Sequence, residues 1–290
     1  RGPGPKSYWQ ALSLRVRDRQ DAVKMEELCA TLVKYGYPEI AEKSKEVKGA
    51  NMKYKAAIFD MDGTVLNTLD DLVTALNWAL ERSGHRHDYQ GNMVRQFFGS
   101  GVNVAIQRAL AYEKGMPEEN LVRIGTPGFE NVEGVSDQEV EEIATIYKPF
   151  YAEHANDKTG PYPGILDLLK NLRAKKIPTA VVSNKPDEAV RILAEEVFAG
   201  LFDTCIGEQE GIPRKPARDM TDLVLKRLNV VPEEAVYIGD SEVDMQTAAN
   251  GGMDCISVDW GFRSHSFLEE RGAGPIVSDA AALEAEILRS

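Results

Sequence analysis

The stretch Ala56-Ala-Ile-Phe-Asp60-Met-Asp-Gly-Thr64 decides how the rest of the chain is read. Four apolar residues without polar alternation are the pattern of a short strand buried on both faces. Asp60 and Asp62 then sit two positions apart, so their carboxylates point the same way while the backbone stays extended. Gly63 lets the chain turn sharply after them. One such carboxylate can act as a nucleophile, while the other gives a proton to a leaving oxygen and later takes one from water. An acidic strand-to-loop turn without chemistry has the same local pattern, so the remaining sequence must arbitrate.

Outward from this stretch, Pro178–Ser183, Thr204–Gly207, Ala235–Gly239 and Cys255–Asp259 are further apolar strand candidates. Helical periodicity fills 165–175, 187–198 and 220–228 between them. Near-continuous apolar strands alternating with helices predict an α/β protein: a doubly wound, Rossmann-like parallel sheet, with ligands at the carboxyl ends of the strands. The interval from 67 to 162 breaks the alternation. It shows helical periodicity only and is expected to be a helical cap inserted after the first strand, with hinges near Asn67–Leu69 and Thr159–Gly164. The core is then 52–66 together with 163–290. Residues 1–51 are expected to be a small helical extension or fusion segment, with Met52 a candidate native start.

Three more motifs close strands. A hydroxyl followed by free amides at a helix start, Val182-Ser183-Asn184-Lys185, suits phosphate oxygens, although an ordinary N-cap has the same pattern. In Arg214-Lys215-Pro216, a lysine fixed by the proline after it can neutralise a phosphoryl group, or can be a solvated basic loop. Gly239-Asp240-Ser241-Glu242-Val243-Asp244 gathers acids that suit a hard cation such as Mg²⁺, or merely a helix N-terminus. Each is weak alone. In order, at successive strand ends of one pattern, they reinforce one another.

The formal net charge is -12. Residues 1–51 carry ten Lys/Arg against seven Asp/Glu, or +3, which leaves -15 for the remainder. So acidic a surface repels nucleic-acid phosphates but admits a small phosphorylated metabolite to a locally positive pocket. No apolar run reaches the ~18–20 residues of a membrane span. Cys29, Cys205 and Cys255 lack metal-ligand spacing and read as reduced thiols of a cytoplasmic protein.

On these four motifs, and on the Phe98-Gly-Ser-Gly-Val102 turn within the helical interval, the chain from Met52 resembles the haloacid dehalogenase superfamily and its phosphoglycolate phosphatase-like branch. The resemblance implies Mg²⁺-dependent hydrolysis of a small phosphate monoester through an aspartyl-phosphate. It makes Asp60 the nucleophile and a metal ligand, and Asp62 the general acid/base with its backbone carbonyl on the metal. It further implies that Ser183 and Asn184 hold phosphoryl oxygens, that Lys215 pairs with the phosphate and Asp60, and that Asp240 binds the metal. Asp244 binds it through water or orients Lys215, and Gly63 and Thr64 shape the turn and contact the phosphate. Two departures stand out: Ala217-Arg218 where the branch has a second proline, and Asn250-Gly-Gly252 in place of an alanine-rich turn.

The alternatives are a phosphomutase acting on a sugar phosphate, a phospho-acceptor switch, and an inactive scaffold. A switch needs a long-lived acyl phosphate, which Asp62 disfavours. Arg95 and Arg108 read as solvated helix faces or as partners of a substrate carboxylate, and Trp260 as a packing residue bordering the site.

Overall fold

The computed structural model describes residues 53–126, 128–129 and 132–289. The expected helices of residues 1–51 lie outside them. Ala56–Phe59 forms strand β1, its four residues fully buried as a strand covered on both faces must be. The chain continues through β2 (Leu66–Asn67), α1 (Leu69–Arg82), α2 (Gly91–Phe97), α3 (Val102–Glu113), α4 (Glu118–Leu121), α5 (Asp137–His154) and β3 (Gly160–Pro161). Then strands and helices alternate: α6 (Ile165–Ala174), β4 (Thr179–Pro186), α7 (Asp187–Phe198), β5 (Thr204–Glu208), α8 (Asp219–Leu228) and β6 (Ala235–Gly239). The chain closes with α9 (Glu242–Gly251), β7 (Asp254–Val258), α10 (His265–Glu270), β8 (Ile276–Val277) and α11 (Ala280–Ile287).

The main sheet runs β5-β4-β1-β6-β7-β8 with all neighbours parallel. This is the expected doubly wound α/β sheet. β1 lies between β4 and β6, so the strand order reverses there and a crevice opens at the carboxyl ends of the three strands. Asp60 and Asp240 stand just beyond the ends of β1 and β6, and Ser183 lies in the second half of β4. Their convergence follows from topology before any side-chain contact is considered.

Helices α1 to α5 build a separate core in which Leu76, Leu80, Ile106, Leu110, Ile143 and Tyr147 are buried together. The crossings into and out of this helical insertion pair as β2 and β3, with Leu66 opposite Pro161 and Asn67 opposite Gly160. Asp71 on α1 strengthens the junction: its carboxylate accepts from the Lys158 backbone N–H (3.2 and 3.0 Å) and the Thr159 hydroxyl (2.8 Å). Among the described residues, no helix is long and apolar enough to cross a membrane.

Candidate active site

Asp60 continues the sheet by one hydrogen bond, its N–H donating to the Ile238 carbonyl at 2.8 Å. The chain then turns back on the Met61 carbonyl, which accepts from Thr64, Val65 and Leu66. Gly63 makes this possible with a φ of 86°, and it brings the backbone against the core acid Asp240. A Cβ on Gly63 would lie 2.4 Å from Asp240 Oδ2, and one on Gly261 would be equally close. The Asp60 side chain ends nearly buried at the floor of the crevice.

Lys215 reaches the same floor from the loop before α8. Its ammonium contacts Asp60 Oδ1 at 2.7 Å, Asp244 Oδ1 at 2.8 Å and the Tyr237 hydroxyl at 3.2 Å, which occupies all three protons. Burial alone would lower the lysine, but Asp244 and Asp60 outweigh it and raise it well above its ordinary value. Two asparagines hold the loop. Asn184 accepts from the Lys215 N–H (2.8 Å) and donates to its carbonyl (3.2 Å), while Asn250 donates to the Pro216 carbonyl at 2.8 Å. Asn250, a departure from the branch pattern, thus supports the lysine loop. Arg218, the other departure, turns outward to a bidentate pair with Asp222.

Carboxylate oxygens of Asp60, Asp240 and Asp244 lie within 4.8 Å of one another. Burial pushes Asp60 up to about 7, with Lys215 opposing and Asp244 adding to the rise. Burial, then Asp244 and Asp60, push Asp240 well above its ordinary value. One ammonium among three buried carboxylates leaves excess negative charge and oxygen donors, a set that fits a hard divalent cation. Asp244 spends Oδ1 on Lys215, while its Oδ2 accepts from the Ser241 N–H (3.1 Å) and hydroxyl (2.6 Å). Of its two expected roles, orienting Lys215 is the one these contacts serve. Thr64 points its hydroxyl at Asp240 Oδ1 (3.4 Å), and its carbonyl accepts from the Trp260 indole at 3.1 Å. Trp260 therefore borders the site.

Within the protein, the side chains of the second motif engage main-chain groups. Both ends of the Asn184 amide serve the Lys215 main chain, because the lysine loop runs alongside β4. The Ser183 hydroxyl accepts from the Lys185 N–H at 3.2 Å. Lys185 closes the quoted motif, where the sequence assigns it no role of its own. Its ammonium lies 2.9 and 3.2 Å from the two Asp62 oxygens and also donates to the Tyr151 hydroxyl on α5. Asp62 is separate from the three-carboxylate cluster.

Arg263 links the two halves of the crevice. Its guanidinium pairs with Glu242 (2.8 and 3.1 Å) and donates to the Arg95 carbonyl in α2 (2.8 Å) and to the Phe98 carbonyl at the start of the Phe98–Val102 turn (3.1 Å). Burial pushes Glu242 up, yet Arg263 outweighs it and leaves the carboxyl below its ordinary value. Arg108 corrects the solvated-face expectation. It is fully buried and donates to the carbonyls of Gln96, Phe97, Val122 and Ile124 and to the Ser100 hydroxyl, bracing that same turn from behind. Arg95 is different again. Its Nε is buried without a hydrogen-bond partner, and its charge reaches Tyr162, which also lies in the field of Asp240 and Asp62.

The family model for haloacid dehalogenase-like hydrolases matches residues 57–258. A crystal structure of a candidate phosphoglycolate phosphatase from Lactobacillus delbrueckii subsp. bulgaricus is 56% identical, with a TM-score of 0.81 over 82% of this chain and 100% of its own. Phosphoglycolate phosphatase 1 of Pseudomonas aeruginosa is 28% identical over 236 residues, covering 81% of this chain and 77% of its own length. Phosphoglycolate phosphatase of Escherichia coli K12 is 26% identical over 209 residues, 72% and 82% respectively.

Proposed function

The chain belongs to the haloacid dehalogenase-like hydrolase family and is a phosphatase, and from that premise we propose that it hydrolyses a small, phosphoglycolate-like phosphate monoester with Mg²⁺ as its metal. The observation that carries the proposal is the 2.7 Å approach of Lys215 to Asp60 within the buried carboxylate cluster. In this reading residues 67–162 are the cap. Asp60, Asp240 and the Asp62 main-chain carbonyl would hold the metal, with Asp244 behind them. The bound cation offsets negative charge on the phosphoryl group and on Asp60.

Lys215 supplies a fixed positive charge where the phosphoryl oxygens gather, with the Ser183 hydroxyl beside it. An Asp60 oxygen attacks phosphorus as the bond to the ester oxygen breaks, and Asp62 gives its proton to that leaving oxygen. Asp62, now a carboxylate, takes a proton from the water that attacks the aspartyl-phosphate. Inorganic phosphate leaves and Asp60 is restored.

The substrate class draws on the names of the relatives and on Arg95. Lys215, Lys185 and Arg263 each have a carboxylate partner, whereas Arg95 has none among the described residues. A guanidinium left unpaired beside the crevice suits a second anionic group on the ester, such as the glycolate carboxylate. The two described cysteines, Cys205 and Cys255, are free thiols, in keeping with a cytoplasmic setting.

A phosphatase screen over phosphorylated metabolites, with Mg²⁺ and with EDTA, tests the proposal. We expect phosphate release from carboxylated esters that EDTA abolishes. Isomerisation of a sugar phosphate without phosphate release would favour the phosphomutase instead.

A further inference from the structure

We infer that Arg214 is a specificity-determining residue: its guanidinium receives the anionic group at the far end of the ester, where the Gly99–Gly101 turn crosses the lysine loop. The inference rests on the phosphate-ester reading above and adds to Arg95 a residue from the sheet side of the crevice.

Arg214 precedes Lys215 in the chain, and the contacts that fix the lysine fix it too. Asn184 holds the Lys215 main chain at both its N–H and its carbonyl, and Asn250 holds the Pro216 carbonyl. The Ala217 N–H then closes the loop by donating to the Arg214 carbonyl at 3.0 Å. From this restrained backbone the two cations part. The Lys215 ammonium turns to Asp60, whereas the Arg214 guanidinium turns to the helical insertion. A Cβ built on Gly101 would lie 2.8 Å from Arg214 Nη1, so the guanidinium rests directly against that glycine. With its φ of 88°, Gly101 both makes the turn and leaves the arginine its room.

A second arginine lies against the same turn. A Cβ on Gly99 would lie 3.3 Å from Arg263 Nη2 and 4.0 Å from the Ser241 Cβ. The turn therefore reaches from the Asp240–Asp244 segment at Gly99 to the lysine loop at Gly101. The two arginines differ in what occupies them. Arg263 is buried, and its guanidinium is taken up by Glu242 and two carbonyls. Arg214 is half-buried, and among the described residues its guanidinium has neither a hydrogen bond nor an ion pair. An arginine that served to hold the turn would show bonds of the kind Arg263 shows. A guanidinium partly removed from water without a partner forfeits hydration, which a bound anion restores. Its planar fork of donors matches the two oxygens of a carboxylate. The phosphoryl oxygens belong at the floor, around Lys215 and Ser183, so the anion that Arg214 receives is the other one. Arg95 serves the same group from α2.

Steady-state kinetics of the full chain with Mg²⁺ test the inference by comparing Arg214→Gln and Arg95→Gln on phosphoglycolate and on ethyl phosphate, which lacks the carboxylate. We expect Arg214→Gln to raise KM for phosphoglycolate roughly tenfold and to leave kcat within about twofold. Neither value should move by more than about twofold with ethyl phosphate. An unchanged KM for phosphoglycolate would overturn the inference. Equal losses on the two esters would do the same, because they would show that residue 214 acts by setting the lysine loop. If Arg95→Gln alone discriminates against the carboxylated ester, the substrate reading stands and only the role of Arg214 falls. If neither variant discriminates, or if the parent protein releases phosphate from neither ester, the substrate reading falls with it.

Discussion

The ammonium of Lys215 lies 2.7 Å from Oδ1 of Asp60, and both groups are almost completely removed from solvent. In the proposed mechanism this contact puts the nucleophile and its counter-charge on one buried floor. Asp60→Asn preserves the shape of this contact while removing the attacking oxygen and one of the crowded negative charges. Turnover should fall by at least about a thousandfold. In EDTA near pH 8 the variant should melt no lower than the parent, which calorimetry can measure. Appreciable residual hydrolysis would remove Asp60 from the mechanism.

Metal binding should depend on pH in one direction. Asp60 is pushed from 3.8 up to about 7, and Asp240 also moves upward, both chiefly through burial. A carboxyl raised on folding stabilises the native state while protonated. That contribution is lost as pH climbs from the unfolded value through the folded one. The cation requires the ionised forms. The gain in Tm from Mg²⁺ over EDTA should therefore grow between about pH 5 and about pH 7.5. A gain that shrinks over this window would contradict the assignment of the cluster as a metal site.

Arg263→Gln removes the partner of Glu242, a donor to the Arg95 carbonyl on α2 and a donor to the Phe98 carbonyl at the turn after it. Breaking a largely buried ion pair costs about 3 kcal/mol, so thermal unfolding should shift downward. Losing the seat of the Phe98–Val102 turn should raise KM roughly tenfold, with kcat affected less. A variant with unchanged KM would show that the turn keeps its place without this clasp.

Arg95→Gln addresses the second anionic group. With phosphoglycolate, KM should rise about tenfold, in line with the loss of one charge-assisted hydrogen bond. With ethyl phosphate, which lacks the carboxylate, steady-state kinetics should show little change. Equal effects on the two esters would assign Arg95 to cap structure.

Most of the sheet was legible in the sequence because its strands are apolar and each ends in a polar motif. Ala56–Phe59 and Ala235–Gly239 coincide with the expected segments, and the other three strands agree within a few residues. β8, β2 and β3 hold two residues each, too few to carry a periodicity. At the site, Asp60, Lys215, Asp240 and Asp244 do meet. What stayed hidden were contacts between segments distant in the chain. The Lys185–Tyr151 bond joins residues 34 positions apart, and nothing local in either segment announces the other. Arg108 followed the same logic in reverse: an arginine on an amphipathic helix normally reaches water, but here the turn it braces offers carbonyls in place of solvent. Asn184 and Asn250 serve main-chain groups of a loop about 30 positions away, which composition does not encode.

The β2–β3 ribbon brings the start and end of the helical insertion side by side, at Asn67 and Gly160. A module whose ends are adjacent can be transplanted with little loop-closure penalty and without disturbing its host. Chimeras that exchange the segment between these two residues for that of a relative should keep the sheet and its carboxylates intact. Selectivity among esters should travel with the donor, and breeding new phosphatases from this scaffold becomes a matter of choosing the graft.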